Sequence, residues 1–277
     1  MKTQQRHAMT RMAVSFFVLL VMLFPVYWIF ATSLKSNAEL AQTIPTLFPI
    51  HPDWQVYQTY VFHDPDLVHY LWNSLQIGTG TLALSMLLGV PLAYALARLP
   101  IKGKRGILLF LLVMQMFPSI MLATPLFIFF VHLHLINNLL AVILATTTRT
   151  LPFGVLVLRP FFLTLPPQLE EAAAVDGANL WVAFVRIILP PARAGVVTVG
   201  ALTFLLGWSE FLFSLILLTD DSKRPLTLGL YKYITNYGTN WNGLMAVAVV
   251  AAVPVLLVFI FAQRYITSGL TAGSVNE

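Results

Sequence analysis

Long apolar runs separated by shorter polar segments are the main pattern along this chain. A hydrocarbon core about 30 Å thick requires about 20 helical residues at about 1.5 Å of rise each. Six runs meet that length: Ala13–Ser33, Ser74–Ala97, Ile107–Val131, Leu139–Leu158, Val196–Leu218 and Leu244–Ala262. The first is too long for the apolar region of a signal peptide and lacks a small-x-small cleavage site, so we interpret it as a retained span. The pattern predicts one all-α membrane domain, residues 1–277, that crosses the bilayer six times.

Composition supports a bilayer as the solvent. Of the 277 residues, 58% are hydrophobic and 10% are charged, against roughly 25% charged in an average soluble domain. The mean hydropathy is +0.81. The absence of cysteine excludes disulfides and thiolate chemistry. The net charge of +5 does not indicate nucleic-acid binding, because the basic residues are spread between apolar runs, as topology signals are.

Lysine and arginine predict the orientation. If the N-terminus is cytoplasmic, the inner segments carry eleven of the sixteen basic residues and the outer segments carry four: Lys35, Lys223, Arg224 and Lys232. The remaining one, Arg149, falls within a span. Because basic residues concentrate in cytoplasmic loops, we expect both termini in the cytoplasm.

Prolines interrupt both the outer segments and the spans. Leu34–Asn73 contains four prolines, which indicates an irregular outer cap, since forty residues bury too little surface to fold alone. Residues 219–243 form a second outer loop. The spans contain Pro91, Pro118, Pro125, Pro152 and Pro254. These predict kinked helices along a gated path, although proline is simply commoner in membrane helices than in soluble ones.

A polar segment from Pro166 to Pro191 lies between the fourth and fifth runs. Residues 168–175 are strong helix formers with two glutamates in the first turn, where they complement the helix dipole. Asp176-Gly177 is a turn signal, because glycine adopts the left-handed conformation that ends helices. Asn179 is an expected N-cap for a second helix, Leu180–Leu189, which Pro190 ends. The segment therefore predicts a cytoplasmic helix–turn–helix.

The spacing within this segment is specific. Glu171-Ala172-Ala173 is followed by three residues and Gly177, then by nine residues and Ile187-x-Leu189-Pro190. This resembles the EAA loop of ATP-binding-cassette (ABC) importer permeases, and every fixed position is met. The resemblance implies that this loop couples the permease to a separate ATPase through Glu170, Glu171, Ala172, Ala173, Asp176, Gly177, Leu189 and Pro190. The alternative is an ordinary pair of interfacial helices on the membrane.

Further stretches resemble the carbohydrate branch of these permeases. They are Asn73-Ser74, Ala93–Arg98, Gln115–Pro118, Trp208–Phe213, Gln263–Tyr265 and Gly269–Gly273. Because the similarity spans nearly the whole chain, the chain is identified as a member of the MalG-like permease subunits of maltose-type importers. The tail departs from the usual pattern at Ser274, Asn276 and Glu277, which puts a basic tail contact with the ATPase in doubt.

The resemblance implies a type I ABC importer permease fold, in a bacterial or archaeal cytoplasmic membrane, with no catalytic residues of its own. No Walker A sequence is present, so ATP and Mg²⁺ are expected on the partner ATPase. The implied partners are a second, MalF-like permease, an ATPase dimer, an extracytoplasmic sugar-binding protein and membrane lipid, without nucleic acid.

The expected cargo is maltose or maltodextrin, trehalose or a related oligosaccharide. The alternatives are another solute such as glycerol phosphate, or an ion-coupled secondary transporter. The latter requires midplane carboxylates and usually an internal repeat; only Glu210 qualifies, and the halves show no obvious similarity.

Two charges fall well within the predicted spans. Arg149 lies about 15 Å from the outer end of span four and Glu210 about 12 Å from that of span five. Similar depths allow an ion pair, which could contact the solute, latch a gate or only fix packing. Sugars are bound by polar groups and aromatic faces. The candidate path therefore also includes Gln115, Trp208, Ser209 and Phe211, and Asn240 and Trp241 could contribute. Most aromatic residues are nevertheless expected to pack in the core or to anchor the chain at the membrane interface. No metal site is predicted, since His132 and His134 lie on different helix faces.

Overall fold

The computed structural model describes the backbone of residues 2–235 and 238–272 and the side chains of residues 11–235 and 238–265. The divergent tail positions Ser274, Asn276 and Glu277 lie outside the described residues. The chain divides into two compact units, residues 1–67 with 230–253, and residues 68–229 with 254–277. The prediction of one membrane domain stays a prediction.

The first unit consists of a long helix, an irregular cap and the start of the last helix. α1 (Lys2–Ser33) is followed by the short helices α2 (Asn37–Leu40) and α3 (Gln55–Tyr57), and α3 continues as a π-helix over Gln58–Phe62. A 3-10 turn, Tyr231–Tyr233, leads into a hairpin of β1 (Ile234–Thr235) and β2 (Gly238–Thr239). Asp64 joins these parts, because its carboxylate accepts hydrogen bonds from Lys232 Nζ at 2.5 Å and from the Tyr233 hydroxyl at 3.4 Å.

The second unit holds the remaining helices. In chain order they are α4 (Leu67–Arg98), α5 (Lys104–Met116), α6 (Ser119–His132), α7 (Leu139–Leu163), α8 (Gln168–Val175), α9 (Leu180–Val182), α10 (Arg193–Trp208), α11 (Leu212–Leu217) and α12 (Leu226–Leu230). A π-helix, Ala183–Ile188, continues α9, and a 3-10 turn, Asp221–Lys223, precedes α12. The last helix, α13 (Trp241–Ala272), begins in the first unit and ends in the second.

Four helices of the described chain are long and apolar enough to cross a membrane, and up to six spans result if two bent pairs are each counted as one. One of these pairs joins Leu180–Ile188 to Arg193–Trp208 at 87°. The third predicted run is one such pair, α5 and α6, which meet at 99°. The cause is local: Pro118 disfavours helical geometry at the residue before it, and Phe117 is extended. The predicted kink is confirmed here, whereas Pro91, Pro125, Pro152 and Pro254 lie inside uninterrupted helices.

The fifth predicted run is also not one continuous helix. α10 ends at Trp208 and α11 begins at Leu212, so Ser209, Glu210 and Phe211 form a break that the hydropathy did not predict. α10 itself packs against α7. Helix α4 lies very close to α10, because a Cβ added at Gly207 would stand 3.0 Å from the Gly78 Cα. The second unit thus combines closely packed helices with helix breaks at Phe117 and at residues 209–211.

Candidate coupling site and solute path

A helix-ending motif shapes the segment between α8 and α9. The Gly177 N–H donates to the Ala174 carbonyl at 3.1 Å, and the Ala178 N–H donates to the Ala173 carbonyl at 2.9 Å. This pair of bonds is the Schellman motif, which places a left-handed residue after the helix. Gly177 has φ +77°, as the sequence predicts. The Asn179 side chain then accepts from the Val182 N–H at 2.8 Å, and the predicted N-cap is confirmed.

The second helix has the predicted extent but a different geometry. Only Leu180–Val182 is α-helical, and Ala183–Ile188 forms a π-helix. The Leu189 N–H donates to the Phe184 carbonyl at 2.9 Å, five residues earlier. The wider turn lets Ala183 and Ile188, which are also five apart, share the buried side. The predicted second helix and its end before Pro190 are therefore confirmed, and the π-helical geometry is a feature that the sequence did not predict.

An aromatic cluster anchors this segment to the ends of two long helices. Phe184 lies 4.8 Å from Tyr94 of α4, measured between ring centroids, and Phe162 of α7 lies 5.8 Å from Tyr94. All three side chains are buried, and Leu189 packs against the same core. Burying such rings stabilises the segment by about 25 cal/mol per Å² of apolar surface removed from water. The segment is therefore packed directly against α4 and α7.

An ion pair reinforces the anchor. Arg98 Nε of α4 donates to Glu170 Oε2 of α8 at 3.1 Å, with side chains 11% and 28% exposed respectively. Ala173 is buried beside it. Of the residues predicted to couple to an ATPase, Glu170 and Ala173 therefore face the permease itself. Sequence reasoning did not assign Arg98 this role, because the pair joins residues 72 positions apart.

The opposite side of the segment is exposed and apolar at its centre. Val175 is 88% exposed, Leu180 56% and Trp181 66%. We call these three residues the coupling face. The predicted residues Glu171, Ala172, Asp176, Gly177 and Pro190 are exposed as well. The coupling face was not among the predicted residues, although the sequence carries a signal for it: large apolar side chains flank a turn in a polar segment.

Several predicted path residues surround one cavity in the second unit. It has a volume of about 290 Å³ and is lined by Gln115, Arg149, Phe153, Leu202, Leu205, Leu206 and Ser209. Gln115 Nε2 donates to the Arg149 carbonyl at 2.8 Å, which connects the end of α5 to α7. The Arg149 side chain is exposed, and its Nη1 lies 3.5 Å from the Ser119 hydroxyl. The cavity is mainly apolar with a cationic group at its wall.

Glu210 has a structural partner instead of a charged one. Its buried carboxylate accepts from the Phe213 N–H at 2.8 Å, at the start of α11, and its carbonyl accepts from the Thr227 hydroxyl at 2.6 Å. Within the described chain, the structure records no ion pair between Arg149 and Glu210. Trp208 is buried and stacks on Phe204, and Phe211 is half-buried in the helix break. Trp208, Glu210 and Phe211 therefore do not line the cavity, whereas Gln115, Arg149 and Ser209 do.

Among the described residues, no group of three or more histidine, cysteine, aspartate or glutamate side chains is arranged to hold a metal ion. Asn240 and Trp241 belong to the first unit, where Asn240 donates to the Tyr60 hydroxyl at 2.8 Å.

The chain is similar to permease subunits of known transport systems. It is 37% identical over 254 residues to a sulfoquinovosyl glycerol transport system permease protein of Agrobacterium fabrum, covering 92% of this chain and 89% of that protein. It is 33% identical to a diacetylchitobiose uptake system permease protein of Streptomyces coelicolor, covering 95% of each. It is also 33% identical to a trehalose transport system permease protein of Mycobacterium tuberculosis, covering 92% of each.

Solved structures show the same fold. A crystal structure of a bacterial ABC transporter involved in the import of the acidic polysaccharide alginate contains a chain with a TM-score of 0.78 at 24% identity, covering 96% of this chain and 98% of that one. The pattern of the binding-protein-dependent transport system inner membrane component family matches residues 85–271. The chain therefore belongs to this family and is a non-catalytic, multi-pass membrane subunit of an ABC importer with the type I permease fold.

Proposed function

We propose that this chain forms half of the translocation path for a saccharide, in an importer that alternates between outward-open and inward-open states. The proposed complex contains a second permease, an ATPase dimer that binds ATP and Mg²⁺, and an extracytoplasmic binding protein. The relatives support a carbohydrate cargo, because diacetylchitobiose and trehalose are named for two of them. Both alignments cover nine-tenths or more of this chain, which supports a solute of the same class for this protein.

The observation that carries the coupling mechanism is the two-sided character of the segment at residues 166–191. One side is held by the Arg98–Glu170 pair and the Tyr94 cluster, and the other presents the exposed coupling face. Short amphipathic helices bind in grooves of partner proteins. We propose that the coupling face sits in such a groove on the ATPase, so that closure of the ATPase dimer moves α8 and with it the ends of α4 and α7.

The cavity beside Gln115 fits the path for solute. Apolar walls formed by Phe153 and leucines of α10 contact the C–H surface of a sugar ring, and Gln115, Ser209 and Arg149 offer hydrogen bonds to hydroxyls. A site of this kind, mostly apolar with a few placed polar groups, is typical of small-molecule recognition.

Arg149 supports a second candidate. An exposed guanidinium on the cavity wall, without a carboxylate in ion-pairing distance among the described residues, favours an anionic solute such as a sulfonated sugar glycoside or glycerol phosphate. The similarity to a sulfoquinovosyl glycerol permease also favours an anionic solute.

The test is uptake by the complete importer, reconstituted in vesicles with its binding protein. A panel of labelled trehalose, maltose, diacetylchitobiose, sulfoquinovosyl glycerol and glycerol phosphate is offered with and without ATP. We expect ATP-dependent uptake of at least one neutral disaccharide. Uptake confined to the anionic solutes would replace the first candidate by the second, and ATP-dependent uptake of none of the panel would overturn a saccharide cargo.

A further inference from the structure

The segment that follows α2 exposes much apolar surface. Residues 41–52, which we call the apolar loop, contain no lysine, arginine, aspartate or glutamate. Four large apolar side chains in it are more than half exposed: Ile44 at 81%, Leu47 at 59%, Phe48 at 70% and Ile50 at 59%. Exposed apolar groups of this kind mark a contact with lipid or with another protein. Neither the solute path nor the coupling segment includes these residues.

The apolar loop lies beside the C-terminal end of α1. The Tyr27 hydroxyl donates to the Leu47 carbonyl at 2.8 Å, and the centroid of the Tyr27 ring lies 5.8 Å from that of Phe48. Just after the loop, the Trp54 ring lies 6.5 Å from the Phe30 ring. Tyr27 and Phe30 precede the end of α1 by about 9 Å and about 4.5 Å respectively, at about 1.5 Å per residue. The loop therefore turns back along the last two turns of a predicted span.

Side chains outside the loop bond to its backbone. Lys35 Nζ donates to the Thr46 carbonyl at 2.5 Å, and the Ile50 N–H donates to the Glu39 carboxylate at 3.3 Å. Lys35 is 2% exposed and Glu39 is 6% exposed, so neither charge reaches the surface of the loop. The loop also contains three prolines, which have no N–H group to satisfy. These features lower the cost of placing an irregular segment against lipid, where an unpaired backbone group is expensive.

The surroundings of the loop favour lipid over protein as its contact. Residues 11–26 of α1 are all exposed, and the chain is a multi-pass membrane subunit, so part of this helix surface meets lipid. The apolar loop continues that surface at the end of the helix. Tyr27, Trp28 and Trp54 lie at the same end, and tyrosine and tryptophan concentrate at the level of the lipid headgroups. The loop is therefore at the depth of the membrane interface.

We propose that the apolar loop is a membrane-interface anchor, which inserts Ile44, Leu47 and Phe48 among the headgroups and upper acyl chains of the adjacent leaflet. Its partner is a phospholipid surface, and because the loop carries no charged side chain, the headgroup need not be anionic. The bond from Ile50 to Glu39 connects the anchor to α2, so the anchor holds this part of the cap against the membrane. The inference goes beyond the proposed function and does not depend on the cargo.

The chain contains no cysteine, so a single spin label can be placed on it through Ile44→Cys or Phe48→Cys. The labelled complete importer is studied in phosphatidylcholine nanodiscs, and collisions of the label with oxygen and with a water-soluble nickel chelate are measured. Oxygen concentrates in the apolar part of a bilayer, whereas the chelate stays in water. Asp66→Cys is the matched control, because Asp66 is an exposed charged residue of the same unit. The importer with the unsubstituted chain measures any labelling of the partner subunits.

We expect the oxygen-to-chelate collision ratio at positions 44 and 48 to be at least about fivefold higher than at position 66, because interfacial apolar groups lie below the headgroups. A ratio equal to that at position 66 would place the loop in water and overturn the proposal. Few collisions with either reagent would show that a protein, such as the second permease, covers the loop, which would also overturn it. Leu47→Cys replaces a variant that fails to assemble. ATP-dependent uptake by each labelled importer confirms that the label has not disturbed the fold.

Discussion

At the scale of single residues, Gly177 shows how one backbone angle fixes the coupling segment. A Cβ added there would meet nothing within 4 Å, so space does not require glycine. The requirement is conformational, since φ +77° costs an L-residue about 1–2 kcal/mol. We expect Gly177→Leu to leave insertion intact but to weaken retention of the ATPase and to abolish ATP-driven uptake. Pull-down of the ATPase in detergent, together with the vesicle uptake assay, measures both.

Gly177→Asn is the matched control, because asparagine adopts the left-handed region more readily than leucine. It should retain much of the uptake. Equal loss in both variants would show that side-chain bulk at the partner surface, and not the backbone angle, causes the defect. Normal ATPase retention and uptake in Gly177→Leu would mean that the segment is an ordinary interfacial helix pair.

Arg149 and Glu210 illustrate what sequence could and could not establish at this scale. Hydropathy correctly singled out both as charges in apolar runs, but similar depth along two helices does not determine whether side chains meet. The break after Trp208 turns the Glu210 carboxylate toward the start of α11, and the Thr227 hydroxyl, seventeen residues later, completes its surroundings. That contact depends on the folded chain, so no local pattern contains it.

We therefore expect different defects from the two charges. Arg149→Gln should impair uptake without affecting assembly, because it changes the cavity wall. Glu210→Ala should lower the thermal stability of the subunit by about 0.5–2 kcal/mol, because it removes the oxygen that accepts from the Phe213 N–H at the start of α11. Their effects on stability should add within about 0.5 kcal/mol, as for sites without a shared partner. A double variant clearly more stable than that sum would indicate an ion pair after all.

At the scale of elements, the Arg98–Glu170 pair connects a long helix to the coupling segment. The α8 helix and its Schellman ending follow from residues within ten positions, which is why the sequence predicted them. The π-helix at Ala183–Ile188 was not predictable in the same way. Its wide turn buries both Ala183 and Ile188. Ile188 belongs to a core that includes Tyr94 and Phe162, and those residues lie far away in sequence.

We predict that Arg98→Gln or Glu170→Gln alone uncouples the importer, so that ATP hydrolysis continues while uptake falls. The reason is that α8 loses its polar link to α4 while the coupling face stays exposed. The double variant should lose less than the sum of the single ones, with an interaction free energy of about 0.5–3 kcal/mol, because neither charge is left unpaired. The ratio of solute imported to ATP hydrolysed measures this. Unchanged ratios in both single variants would assign the connection to the aromatic cluster alone.

At the scale of the whole molecule, the apolar runs predicted the number and order of spans better than their shape. Length and hydropathy are properties of a segment and follow from composition. Bends do not, except where proline acts on its neighbour, as at Phe117. The break at residues 209–211 involves a contact with a later segment, because the Thr227 hydroxyl donates to the Glu210 carbonyl. The most apolar stretch of Arg11–Ser33 is not buried by any other part of the described chain. Its exposed apolar surface is consistent with lipid or a partner permease around it.

Orientation follows from the distribution of charge and remains a prediction that one experiment decides. Basic residues near the span ends favour cytoplasmic loops, and the eleven-to-four distribution places both termini and the coupling face inside, where ATP is available. Reporter fusions after Lys104 and after Arg193 should give a cytoplasmic signal, and a fusion within residues 53–66 should give an external one. Each fusion retains a different number of spans, so a consistent alternation also counts them. An external signal after Arg193 would place the coupling face on the wrong side of the membrane for any ATPase, and the proposed mechanism would fail.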